Sequence, residues 1–389
     1  MSLVCKELGE LVDFKGGGTP NRNIEEYWGN LIPWATVKDL NEGITLTNTQ
    51  EFITELGLKN SASNLIPKGS IIIPTRMALG KVVISEIDVA INQDLKAVLV
   101  KNNELLDTKY LLWFLASNKE NIASMGKGAT VKGITLDQLR AIKIPLPPLA
   151  EQRRIASILD KADELRQKRQ QAIEKLDQLL QATFIDMFGD PVSNPKGWQK
   201  DELQNICMQV IDCPHSTPTW SDEGIICLRT SNLGKGEWIW DDTRYVSPLE
   251  YIERTKRSEI FAGDIILSRE GTVGIAAIVP NDLKLSLGQR LVQLTPKLDK
   301  VNSEFLLQVL LYDLDPIRIS SLMVGSTSKH INVKDLRGLK LFVPPIELQN
   351  KFSSISLKIS QQKKELKTSL SNFDNLFKAL QNQTFSRNL

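Results

Sequence analysis

The sequence is poor in the residues that most metalloenzymes and exported proteins depend on. Among 389 residues there are four cysteines, Cys5, Cys207, Cys213 and Cys227, and two histidines, His215 and His330. No two cysteines form a Cys-x-x-Cys pair, and a structural zinc needs four well-spaced ligands, so no metal centre is expected. The thiols read as reduced and buried, as in a cytoplasmic protein. No run of about 18 apolar residues occurs, so no membrane-spanning helix is expected. The opening residues lack a basic segment followed by an apolar core, so no secretory signal is expected either. Charge of one sign is also scarce: 48 Lys and Arg face 46 Asp and Glu, a net +2. A protein that binds DNA regardless of sequence usually carries a strong basic excess. Any contact with nucleic acid must therefore come from local patches or with help from a partner.

Catalytic motifs are missing as well. No G-x-x-x-x-G-K-[ST] occurs, so no phosphate-binding P-loop is read. "GGGTP" (16–20) and "GKGAT" (126–130) are glycine-rich but read as flexible loops. A methyltransferase acting on DNA amines would need an Asn-Pro-Pro-Tyr-like loop. The two Pro-Pro pairs, in "PLPPL" and "FVPPI", have no Asn or Asp before them and no aromatic residue after. The carboxylate cluster of a stand-alone nuclease and a Ser-His-Asp arrangement are equally absent from the sequence. No catalytic role is expected of this chain alone.

What the sequence has is an ordinary globular composition, 41% hydrophobic and 24% charged, and a repeat. Such a length and composition suit two or three domains with real cores. "LIPKGSIIIPTRMALGKVVI" (65–84) is echoed by "IFAGDIILSREGTVGIAAIV" (260–279), and "INQDLKAVLV" (91–100) by "LGQRLVQLTP" (287–296). "GATVKGITLDQLRAIKIPLPPLAEQ" (128–152) is echoed by "GSTSKHINVKDLRGLKLFVPPIELQ" (325–349). In this last block the separation is constant: Pro345 minus Pro148 and Gln349 minus Gln152 both give 197. Each half reads as a mixed α/β portion that ends at a double proline and passes into a helix. "SNPKGW" (193–198) reads as the entry to the second portion.

Proline suits a first helical turn and cannot continue a strand ladder. Glu151 then lies where the helix dipole favours negative charge. Gly189 and Pro191 read as the stop of the first helix, which at 1.5 Å per residue is about 55 Å long. Ile155, Ile158, Ala162, Leu165, Arg169, Ala172, Leu176 and Leu179 follow a 3-4 spacing, a heptad seam. The same register in the second helix gives Phe352, Ile355, Ile359, Gln362, Leu366, Ser369, Phe373 and Leu376. Arg169 corresponds to Leu366 and Gln362 to Leu165, so the polar places of one seam are apolar in the other. The two helices are therefore expected to pair with each other rather than each to cap its own domain.

This layout resembles the specificity subunits of type I restriction-modification enzymes. The resemblance spans the whole chain and rests on the two junctions, "PLPPLAEQRRIASIL" and "VPPIELQNKFSSI", and on the openings "GGGTPNRNIEEYWGNLIPWATVKDLN" (16–41) and "NPKGWQKDEL" (194–203). The second junction has Glu347 and Leu348 before Gln349, where the first has Ala150 and Glu151 before Gln152, and is expected to be the less regular copy. The resemblance implies an α/β fold. Two mixed α/β target recognition domains, 1–148 and 190–345, would be joined and spaced by two long antiparallel coiled-coil helices, 149–189 and 346–389. The whole would be a pseudo-twofold tandem repeat. It further implies that each domain reads one half of a bipartite, asymmetric site on double-stranded DNA. The helices would set the gap and dock two methyltransferase subunits, with restriction or translocase subunits beyond them. S-adenosylmethionine, ATP and Mg2+ would belong to those partners. A non-catalytic coiled-coil adaptor with two binding modules is the competing reading; it accounts for the repeat and the helices but not for the recurring basic loops.

Under this resemblance the DNA contacts should come from loops that recur in both halves. Thr75 with Arg76 and Ser268 with Arg269 stand at strand ends, and arginine is the side chain best suited to grip guanine bidentately. The alternative for Arg269 is a local pair with Glu270. Lys127, Thr130 and Lys132 in one half, and Ser326, Ser328, Lys329 and His330 in the other, combine hydroxyls and bases suited to phosphate. The opening loops add Lys15, Thr19 and Arg22, and His215, Thr217, Arg229 and Asn232.

Overall fold

The structure is a computed structural model that describes residues 4–40, 43–128, 131–314 and 330–385. It divides into two compact units, 1–171 with 368–389, and 172–367. Each unit holds one α/β portion and one half of each long helix, Leu149–Phe188 and Ile346–Phe385.

In the first unit, Cys5–Glu7 pairs antiparallel with Lys143–Pro145, so the chain enters and leaves the α/β portion side by side. Between them a five-stranded sheet runs in the order Val12–Gly16, Leu95–Val100, Ile71–Pro74, Val83–Ser85, Thr45–Leu46. Ile71–Pro74 is buried on both faces, which explains its unbroken apolar run. A second sheet has the order Glu51–Ile53, Trp28–Ala35, Val89–Ile91, Leu65–Ile66, with its two central strands parallel. The second unit repeats the plan. Lys200–Glu202 pairs with Lys340–Phe342. One sheet runs Cys207–Asp212, Leu291–Pro296, Ile265–Ser268, Ala276–Ile278, and the other contains the parallel pair Ile225–Leu228 and Leu285–Leu287.

Each closing strand leads straight into a double proline, and there a glutamine locks the junction. Gln152 is 1% exposed; its amide donates to the carbonyls of Leu105 (3.0 Å) and Pro147 (2.9 Å) and accepts from Asp107 N–H (2.9 Å). Gln349 is 0% exposed and does the same with Lys300 (3.1 Å), Pro344 (2.7 Å) and Asn302 N–H (2.9 Å). The second junction is therefore as regular as the first, contrary to expectation. The carboxylate one place earlier in one copy and two places earlier in the other lies outside this lock. Gly189 takes the left-handed conformation (φ 82°) and its N–H closes on Ile185 O (2.8 Å), as a C′ glycine should. Lys196 and Trp198 then satisfy the last carbonyls, Asp186, Met187 and Phe188.

The long helices pair within each unit, and the pairing is antiparallel. In the first unit Arg166 Nε reaches Asp374 (2.5 Å) and the Arg169 guanidinium lies over the Phe373 ring (4.8 Å). In the second unit Lys363 Nζ reaches Asp177 (2.6 Å) and Phe184 packs on Phe352. The two ion pairs are copies of one another, since Lys363 stands 197 after Arg166 and Asp374 stands 197 after Asp177. The far end of each helix also enters the core of the α/β portion that it does not close, which is not what a helix capping only its own domain would do. Phe377 and Phe385 pack on Trp113, Tyr110 and Phe114. Phe184 and Phe188 join Phe305, Phe342 and Phe352.

The seam itself is displaced from the one read in the sequence. Phe352 and Ile359 are buried as expected, Leu366, Phe373 and Leu176 are half-buried, and Ile155 and Ala162 flank the first core. Ile158, Leu165, Leu179, Ile355 and Leu376 face outward. Their inner neighbours are Ala156, Leu159, Ile173 and Phe377, together with polar Gln152, Asp163, Gln349 and Ser356. The first of the two alternating seam positions is therefore right, and each outward-facing residue stands one place before an inner one, among them polar Arg166 and Ser356, which apolar spacing does not select.

One half-buried acid of the second unit makes a testable difference. The Glu304 carboxylate accepts from Ser356 Oγ (2.9 Å), and burial pushes its pKa above the ordinary value of 4.5. The folded state therefore prefers it neutral. The stability linked to that proton is fully present below about pH 4.5 and is lost as pH rises through the folded-state value. Glu304→Gln should be more stable than the wild-type chain at pH 7 and should lack that slope; urea midpoints across pH 4–8 read both.

Candidate nucleic-acid interface

In the first unit three loops converge at the end of strand Ile71–Pro74. Thr75 N–H donates to Asp94 O (2.7 Å), and Ile134 N–H to Thr75 O (2.9 Å). Met77 N–H donates to Lys132 O (3.2 Å), and Lys127 exchanges both backbone bonds with Gly133. These bonds bring Arg76, Lys127 and Lys132 onto one exposed patch. The Arg76 guanidinium is 67% exposed and 4.0 Å from Asp94. Thr19 bonds to Gln93 (2.6 Å) on the neighbouring turn, and Lys96 lies just beyond, its pKa lowered first by burial. Gln93 and Lys96 join this patch although the sequence reading passed them over; their place in "INQDLK" (91–96), echoed by "LGQRLV" (287–292), was the available signal.

Other candidates of the first unit serve the fold. Thr75 is buried and bonded to Asp94 O. Lys15 is half-buried on its strand and reaches Leu65 O (3.4 Å). Arg22 forms a two-armed pair with Glu51, whose hydrogen bonds raise its pKa and lower that of Glu51, and it lies 3.9 Å over the Trp28 ring. Thr130 lies outside the described residues.

In the second unit the same ladder end carries Ser268 and Arg269, and both are buried. Ser268 bonds to Glu270 O (3.3 Å). Arg269 does not pair with Glu270; its Nε and Nη2 hold Asp212 at 2.9 and 3.4 Å. Asn232 is 1% exposed and caps its own loop through Arg229 N–H, Ile239 O and Asp242 O. Arg229 is tied to Asp242. Ser268, Arg269 and Asn232 are thus buried and bonded inside the fold, whereas Arg229 is half-buried against an exposed Asp242. His215 remains exposed, 3.3 Å from Asp212, and Thr217 is exposed beside it. His330 is half-buried, and its backbone bridges Glu270. Ser326, Ser328 and Lys329 lie outside the described residues.

The strand registers also correct the equivalence of the two arginines. Leu95 pairs with Pro74, and Leu291 with Ser268. Thr75 N–H bonds to Asp94 O as Arg269 N–H bonds to Arg290 O. Thr75 is thus the counterpart of Arg269, and Arg76 of Glu270. The identical "-R-" after each strand was an accident of one residue.

Among the described residues no helix is long and apolar enough to cross a membrane, and no group of three or more His, Cys, Asp or Glu could hold a metal ion. Burial pushes the Cys207 thiol up to about 12 and also raises Cys213 and Cys227, so these are unreactive core thiols.

Comparison with known proteins agrees with this architecture. The family model described as the type I restriction modification DNA specificity domain matches residues 3–175 and 195–383. The MjaIX specificity subunit of Methanocaldococcus jannaschii is 26% identical over 90% of this chain and 84% of its own length. The EcoR124I/EcoR124II specificity subunit of Escherichia coli is 40% identical over 41% of each chain. In three dimensions the fold is similar to the type I restriction-modification S subunit of M. genitalium, with a TM-score of 0.61 over 98% of this chain and 96% of the other at 17% identity. The two matched segments fall on the two repeats, and the chain belongs to the family of type I restriction-modification DNA specificity subunits.

Proposed function

We propose that each α/β portion reads one half of a bipartite, asymmetric DNA site, and that the paired helices fix the gap between halves and dock methyltransferase subunits. The observation that carries this reading is the repeated ladder end. In both units, strand termini and flanking loops gather exposed basic side chains on one patch: Arg76, Lys127 and Lys132 in one, Arg290 with the imidazole of His215 in the other. Arginine reads base edges, while lysines and backbone N–H groups hold phosphates. The differing side chains of the two patches account for unlike half-sites. Outward-facing Ile158 and Leu165 in the first unit, and Leu179 and Ile355 in the second, give helix surfaces that a partner subunit would cover. Under this reading the chain is a non-catalytic, cytoplasmic component. Adenine methylation with S-adenosylmethionine, and ATP- and Mg2+-dependent translocation and cleavage, belong to the methyltransferase and restriction subunits.

The balanced net charge of +2 predicts weak binding by the chain alone. In gel shifts on a DNA that carries its site, the complex with methyltransferase subunits should bind at least about a hundredfold more tightly than the isolated chain. Equal, sequence-specific binding by the isolated chain would contradict the proposed dependence on partners.

A further inference from the structure

We propose that Arg290 is the base-reading arginine of the second domain, the counterpart of Arg76 with the poles of its supporting ion pair reversed. This rests on the reading that the domains recognise DNA half-sites. The registers just given make Arg76 equivalent to Glu270 and Asp94 equivalent to Arg290. In the first unit Arg76 faces Asp94 at 4.0 Å, and in the second Arg290 faces Glu270 at 3.5 Å. The same bridge between the same two loops is present in each, with cation and anion exchanged.

Exposure singles out the arginine in both. The side chains of Arg76 and Arg290 are 67% and 53% exposed, against 14% and 27% for their carboxylates. A loose ion pair this open holds its arginine weakly, so the guanidinium can leave it for a base edge. Arg269, chosen from the sequence, is gripped by Asp212 and 10% exposed.

The backbone adds an independent sign. Arg290 adopts a left-handed conformation (φ 69°), which is uncommon outside glycine and costs stability. Its neighbours are fixed: Gln289 Nε2 donates to His215 O (2.8 Å), and Arg290 O accepts from Arg269 N–H (3.1 Å). Glycine would relieve the strain at this position, yet an arginine sits there with its side chain outward. A guanidinium fork matches guanine O6 and N7, so the ligand is one G·C pair in the half-site of this domain.

The test uses cells that carry the full chain with its methyltransferase and restriction partners, with adenine methylation mapped across the genome. Arg290→Ala should relax one position of one half-site, with discrimination at that base falling roughly 5- to 150-fold. Arg76→Ala should relax the other half-site only. Arg290→Lys, which keeps the charge but loses the fork, should retain overall methylation and still lose discrimination. Arg290→Gly should lose discrimination while the purified chain melts at or above the wild-type temperature, which excludes unfolding as the cause. Unchanged half-sites in Arg290→Ala, relaxation of the half that Arg76→Ala affects, or uniform loss at all sites in the stable Arg290→Gly variant would each overturn the assignment. If the wild-type chain directs no bipartite methylation at all, the proposed function fails first, and that outcome is distinct from these.

Discussion

Phe352→Ala should lower the unfolding free energy of the second unit by about 3–5 kcal/mol. Phe352 is 0% exposed and packs edge-on against Phe184 and Phe188 at ring separations of 5.5 Å. Phe305 and Phe342 complete the cluster. The ring thus belongs to the second long helix, while the partners it loses belong to the first long helix and to the α/β portion. Truncation removes the transfer energy of a whole ring and leaves a cavity whose aromatic walls come from three separate elements, which limits collapse. Denaturant titration should show the loss. Hydrogen exchange should place it, with amides of Leu294 and Leu341 in the same core losing protection. A cost below about 1 kcal/mol would mean that the helix lies on the domain without being part of its core.

Inserting one heptad into both long helices should change the gap in the recognised site and leave the two half-site sequences as they were. A heptad keeps the seam in register and adds about 10 Å of helix, close to three base-pair steps of B-DNA at about 3.4 Å each. The insertion point matters. Between 170 and 176, and between 367 and 373, the helices carry no residue of the glutamine locks or the phenylalanine clusters, so both cores stay intact. Insertion into one helix alone should instead break one of the repeated ion pairs, Arg166–Asp374 or Lys363–Asp177, and cost assembly. Methylome mapping of the double insertion checks the gap. Altered half-sites with an unchanged gap would mean that the helices do not set the spacing.

Much of this was legible before any coordinates. The repeat, the double-proline junctions, the helix stop at Gly189 and the antiparallel pairing all follow from residues whose roles are local or periodic. What failed, failed by one residue. The seam was drawn through Ile158, Leu165 and Leu376 because apolar spacing was the only signal, whereas Asp163, Ser356 and the two glutamines are buried by hydrogen bonds that no periodicity encodes. The strand-end arginines were matched by identity, whereas the ladder registers make Arg76 the equivalent of Glu270. A short insertion or deletion shifts the repeat between the strand block and the junction block, and only cross-strand hydrogen bonds show where. Burial was the third gap. Arg269 and Arg76 look alike in sequence, and it is Asp212, on a distant strand, that turns one of them inward.

Genome-wide adenine methylation in cells with and without this chain, the methyltransferase and restriction subunits proposed as its partners being present in both, tests the central claim most directly. The account predicts one motif, present only with the chain, made of two unlike half-sites separated by a fixed gap of unread bases. Methylation that does not depend on the chain, or a single continuous motif, would contradict it.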